Sequence, residues 1–125
     1  MALAGKTNAE KIWNHCIKSG LNEFGTAGLM GNLWAESGLE PNNLQNSYQD
    51  KLGFTDATYT AAVDNGLYSR EQFIGDKAGF GLAQWTHSKR KANLYDFAKS
   101  SSSSIGDLEM QLCFLMKHLL QNNSS

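Results

Sequence analysis

A single proline, two cysteines and only 18% charged residues in 125 positions set the first limits on this chain. With Pro41 alone, helices are unobstructed elsewhere and no proline-rich linker divides the molecule. Cys16 and Cys113 are too few for a disulfide framework. Each falls on an apolar helical stripe, so both are expected to be reduced core residues. Charge of one sign is also missing: the net charge is −1, which removes the electrostatic footprint of a nucleic-acid or anionic-membrane binder. It leaves open a polymer bound through neutral sugar hydroxyls. No apolar run is long enough to span a bilayer. Met1 to Asn8 has neither a basic nor an apolar segment of the kind a signal peptide needs. The expectation is a protein that acts where it is made, leaves by lysis or assembly, or is a segment cut from a longer chain. No phosphate loop and no Ser-His-Asp or Cys-His spacing is present. His15, Cys16, Cys113 and His118 lack ligand spacing, so neither metal nor cofactor is expected.

What is there describes one mainly α domain, residues 1–125 with a core of about 7–121, 41% of it apolar. Thr7-Asn8-Ala9-Glu10 reads as a capping box. Ala9, Ile12, Trp13, Cys16 and Ile17 then follow helical spacing until Gly20. Asn22 is the candidate N-cap of a second helix running to Glu36. Residues 41–54 are polar and aperiodic. Thr55 caps a short helix through Val63, ended by Gly66. Residues 67–81 are glycine-rich and aromatic and would hold a small hairpin or only loops. A helix beginning within Leu82–Ser88 continues through Lys99, with Leu94, Phe97 and Ala98 inward. Ser100 to Ser104 form a short connector. The last helix carries the clearest stripe: Leu108, Leu112, Leu115 and Leu119.

The most informative stretch is Gly31-Asn32-Leu33-Trp34-Ala35-Glu36-Ser37-Gly38. From Ala27 to Ala35 only Asn32 is polar, which predicts a central helix buried nearly all round. Glu36 falls on its last turn, and Gly38 is placed to end it. Leu29, Leu33 and Glu36 share the i, i+4, i+7 stripe, so apolar neighbours and the negative helix end would both disfavour ionisation. A carboxyl kept protonated is what a general acid for glycosidic cleavage requires. A solvated Glu at a helix end is the plainer alternative.

A second constellation is Gly79-Phe80-Gly81-Leu82-Ala83-Gln84-Trp85. Its glycines, Gly79 and Gly81, would let backbone approach a ligand closely at a loop-to-helix junction. Gln84 offers a donor and an acceptor to sugar hydroxyls. Trp85, with Phe80 and Tyr48, would stack on a pyranose face. The alternative is a glycine-bounded turn with Trp85 in the core. For a second carboxylate, Asp76 ranks first because it leads into the glycine motif, and Asp50 second; Asp56 and Asp64 are further candidates, and a solvated loop residue is the plainer reading of each. His87 reads as an exposed helix-start residue near the cleft, and Lys89-Arg90-Lys91 as a solvated basic face.

Together the two motifs resemble the phage-tail lysozyme family of the lysozyme-like superfamily, alongside goose-type lysozymes and soluble lytic transglycosylases. The resemblance extends through Ile12-Trp13-Asn14, Ala27 to Leu33, Ser88-Lys89-Arg90 and Asp107 to Leu112. It implies a lysozyme-like α+β fold in which Glu36 is the catalytic acid and the G-x-G-L-x-Q-W segment lines the sugar cleft. The implied activity is that of a muramidase, cutting the β-1,4 bond between N-acetylmuramic acid and N-acetylglucosamine. A lytic transglycosylase giving 1,6-anhydro products and a non-catalytic glycan-binding module are the alternatives. The implied partner is bacterial peptidoglycan, met by a monomeric domain without nucleic acid or membrane. The implied setting is a virion tail or the outside of the target cell, as a tail component or endolysin.

Overall fold

The computed structural model describes residues 3–123, with side chains described through residue 118. Seven helices follow in order among these residues: α1 Asn8–Lys18, α2 Glu23–Ser37, α3 Asn46–Leu52, α4 Asp56–Asn65, α5 Arg70–Gly75, α6 Ser88–Ser100 and α7 Leu108–Asn123. The fold is mainly α, as the periodicity predicts. Local chemistry explains most of the starts. Thr7 and Asn22 accept bonds from Glu10 N and Gly25 N, closing the orphan donors of α1 and α2. Thr55 and Ser69 form full capping boxes with Thr58 and Gln72 at α4 and α5.

Two apolar clusters organise the packing. One joins α4, α5, α6 and α7 through Tyr59, Val63, Phe73, Phe80, Trp85, Leu94 and Phe114. The other joins α1, α2 and α7 through Ile12, Cys16, Leu33, Leu39, Leu82, Leu112 and Met116. Helix α7 belongs to both, because Met110 and Phe114 face one cluster while Leu112 and Met116 face the other. It is therefore α7 that lies at the centre of the molecule. Leu119, the last residue of its expected stripe, lies outside the described side chains.

Helix α2 differs from expectation. Only Thr26, Leu33 and Ser37 are buried, on an i, i+7, i+11 line, while Phe24 and Trp34 are 89% and 66% exposed. The run Ala27-Gly28-Leu29-Met30-Gly31 is apolar but built largely of small residues, so it presents no bulky second face to bury. Cys16 is buried as expected, whereas Cys113 is exposed, on the side of α7 turned away from both clusters.

The aperiodic middle contains two helices that hydropathy does not mark, α3 and α5. Both are too short, at 7 and 6 residues, for an apolar stripe to register. Pairing outside the helices is confined, among the described residues, to two antiparallel bridges, Leu44 with Phe80 and Phe80 with Trp85. Phe80 N and O bond Trp85 O and N at 3.1 and 2.9 Å, closing the glycine motif on itself.

Candidate active site

Glu36 stands one residue before the end of α2 and its side chain faces solvent. The apolar cover expected from the i, i+4, i+7 stripe is absent, since the line that packs inward passes through Leu33 and Ser37 instead. The helix ends as Gly38 requires. Its φ of 63° is left-handed, and its N–H reaches Trp34 O. Leu39 follows with φ 66°, an uncommon conformation for a branched residue. Burial in the α1–α2–α7 cluster and a bond from Asn8 Nδ2 to Leu39 O, 2.9 Å, hold it there. Two successive left-handed residues turn the chain sharply and leave Glu36 at a fixed elbow.

Asn43 connects that elbow to the glycine motif. Its Nδ2 donates to Ser37 O at 3.0 Å, and its own carbonyl accepts from Gly81 N at 2.9 Å and Gln84 Nε2 at 2.8 Å. The residue beside Glu36 is thus two hydrogen bonds from Gly81 and Gln84, though they lie more than forty positions later in the chain. Gln111, fully buried on α7, adds a second brace: its Oε1 accepts from Leu82 N, and its Nε2 donates to Pro41 O and Ile105 O. Gly81, φ 87°, is required here, because a Cβ would stand 2.9 Å from the Trp85 ring and 3.0 Å from Gln111.

The other candidates fall into two groups. Gln84 is half-buried with φ 49°, and its amide nitrogen is committed to Asn43 O and Gly81 O. Its Oε1, Thr86 Oγ1 and Gln45 Oε1 crowd the Cα of buried Gly79, lying 2.7, 3.2 and 3.3 Å from where a Cβ would be, and Gln45 Oε1 accepts from Gly79 N at 2.9 Å. These polar side chains fill the space beside Gly79, so the position admits no side chain of its own. Trp85 and Phe80 face the core. Phe80 is fully buried against Tyr59 and Phe73, and Trp85 packs edge-on to Phe114 at 5.5 Å, so neither ring offers a face to a sugar. The core alternative describes both. Tyr48 is half-buried on α3, with Lys51 over its ring at 5.1 Å.

The aspartates mostly serve as latches. Asp76 points inward: Oδ2 accepts from Tyr59 and Tyr68 hydroxyls at 2.6 and 2.9 Å, while Oδ1 accepts from Ala78 N and the fully buried Lys91 ammonium. Each oxygen carries two donors, which leaves no lone pair directed at open solvent. Lys91 also donates to Ala78 O at 2.9 Å. Burial lowers the Lys91 pKa from its ordinary 10.5, while the bond to Asp76 raises it. Burial together with the Asp76 bond pushes both Tyr59 and Tyr68 hydroxyls above their ordinary value. Asp56 likewise accepts from Leu44 N and Gln49 Nε2, and Asp64 from Ser104 Oγ and Ile105 N. Asp50 alone of the four is exposed, on α3.

Sequence reasoning does not single out Asn43 or Gln111, and it reads Lys91 as part of a solvated basic face, whereas Lys91 is fully buried. Asn43 was indistinguishable within an Asn/Gln-rich stretch. Lys91 had a readable signal, because it shares the 91, 94, 98 face with Leu94 and Ala98 and so separates from Lys89 and Arg90.

The result is a small helical domain with one solvent-facing carboxyl at a helix-ending elbow, its backbone braced to a glycine-rich turn. The chain belongs to the phage tail lysozyme family, whose profile matches residues 7–125. Neither curated proteins nor solved structures yield a match. Family membership gives the chain a lysozyme-like, cell-wall-lytic function directed at peptidoglycan, in keeping with a tail-borne or extracellular, wall-acting role.

Proposed function

We propose that the protein is a muramidase that cleaves the β-1,4 bond between N-acetylmuramic acid and N-acetylglucosamine, with Glu36 protonating the leaving oxygen. The observation that carries this reading is the Ser37–Asn43–Gly81/Gln84 connection, which ties the position of one solvent-facing carboxyl to the glycine motif. A glycan seated along that motif would meet Glu36 as its general acid, while the oxocarbenium-like centre is met by water or by the substrate's own group. On this reading half-buried Gln84 and exposed Thr86 supply contact to the sugar, buried Gly81 shapes the turn that carries them, and Asp76 holds the scaffold beneath.

A second reading is favoured by the state of Asp76. An inverting hydrolase needs a base about 6.5–9.5 Å from the acid, with room for water between them. The first candidate for that base is saturated by Tyr59, Tyr68, Ala78 and Lys91, which leaves Asp50 as the exposed alternative. Single-acid chemistry, in which the muramic acid 6-hydroxyl closes on C1 and yields a 1,6-anhydro end, needs no activated water. Mass spectrometry of fragments released from purified peptidoglycan tests both. Reducing N-acetylmuramic acid ends support the muramidase; anhydro ends establish the transglycosylase; absence of soluble fragments contradicts both.

A further inference from the structure

Next to the glycine motif, the surface opens into two hollows that share His87. The first, about 540 Å³, is walled by Ile74, Gly75, Lys77, Thr86 and His87. The second, about 360 Å³, adds Lys89 and Arg90. Thr86, the residue that follows the glycine motif, lines the first hollow. No aspartate or glutamate among the described residues lines either one. Lys77, Lys89 and Arg90 are exposed and form no ion pair among the described residues, where the salt bridges are Arg70–Asp96 and Lys91–Asp76. His87 Nδ1 accepts from Lys89 N at the start of α6. The placement of the cations is costly for the fold. Lys89 and Arg90 occupy the first turn of α6, where the helix dipole disfavours positive charge, and no acidic residue there offsets them. A chain of net charge −1 has thus gathered unpaired cations on one short surface beside its candidate cleft.

We propose that this hollow binds carboxylates of the peptide stems attached to the muramic acid residues of the strand being cut, an inference that rests on the muramidase reading. A glycan seated along the glycine motif would deliver the stem by tether. The apolar wall at Ile74 suits alanyl methyl groups, and Lys77, Lys89 and Arg90 suit carboxylates. A polyol-phosphate wall polymer would satisfy the cations but bring nothing for the apolar wall.

Co-sedimentation with insoluble cell walls tests the proposal, using the Glu36→Gln chain so that cleavage does not blur binding. Three walls are compared: stem-bearing and stripped of teichoic acid, the same wall with its stems removed by an amidase, and the wall with teichoic acid retained. Replacing Lys77, Lys89 and Arg90 together by Ala should weaken binding to the first wall roughly fivefold to tenfold, as a few exposed ion pairs would give. Binding to the amidase-treated wall and the melting temperature should not change. Equal loss on stem-bearing and stem-free walls, or loss confined to the teichoic-acid wall, overturns the proposal. A chain that shows stem-dependent binding yet releases no fragments as wild type contradicts the muramidase reading alone.

Discussion

Asp76 and Lys91 show how a residue's chemistry is decided by what surrounds it. Both come from polar, glycine-adjacent or basic stretches that look solvated, yet they form a buried ion pair inside a tyrosine-lined pocket. Removing one partner leaves the other charge without compensation. Asp76→Asn should therefore lower unfolding free energy by about 3–5 kcal/mol, measured by urea denaturation. Asp50→Asn, at an exposed position on α3, should leave stability within about 0.5 kcal/mol of wild type. Comparable stability of the two variants would remove Asp76 from the scaffold and restore it as a candidate base.

At the scale of elements, the joint between the end of α2 and the glycine turn depends on a few polar side chains. Asn43→Ala keeps the carbonyl that serves Gly81 and Gln84 but strips the donor from buried Ser37 O. A cost of about 1–3 kcal/mol is expected, visible in thermal melting, with a loss of lytic rate larger than that of a surface variant. The helices on either side were legible because their signals are local: Thr7, Asn22 and Thr55 cap as their side-chain chemistry dictates, and Gly38 and Gly66 end α2 and α4 in left-handed conformations. Helices α3 and α5 were not, since neither is long enough to show a period. The exposure of α2 was also hidden, because an apolar run says that a helix can be buried and not that neighbours exist to bury it. Of the candidate site, the backbone beside Glu36 is joined to Gly81 and Gln84 through Asn43, a link that no local pattern announces, whereas Phe80 and Trp85 serve the core, which composition alone does not separate from a sugar platform.

For the whole molecule, alkaline stability follows from the hydroxyls on Asp76. Tyr59 and Tyr68 titrate above the ordinary 10.0 when folded, so the unfolded chain loses these protons first. Their contribution is complete below about pH 10 and is lost as pH rises beyond it. Lys91, titrating below its ordinary 10.5, contributes the opposite slope, but only beneath that value. Melting temperature should thus fall steeply above about pH 10.5, and Tyr68→Phe should flatten the fall; a pH-independent melting curve there would contradict the buried network.

The account stands most directly on Glu36, and the turbidity of a peptidoglycan suspension measures it. Glu36→Gln preserves the shape of the elbow and removes the transferable proton. Clearing should slow by roughly 10²–10⁴-fold while the melting temperature stays at the wild-type value. A folded Glu36→Gln protein that clears the suspension at near wild-type rate would show that this carboxyl is not the acid.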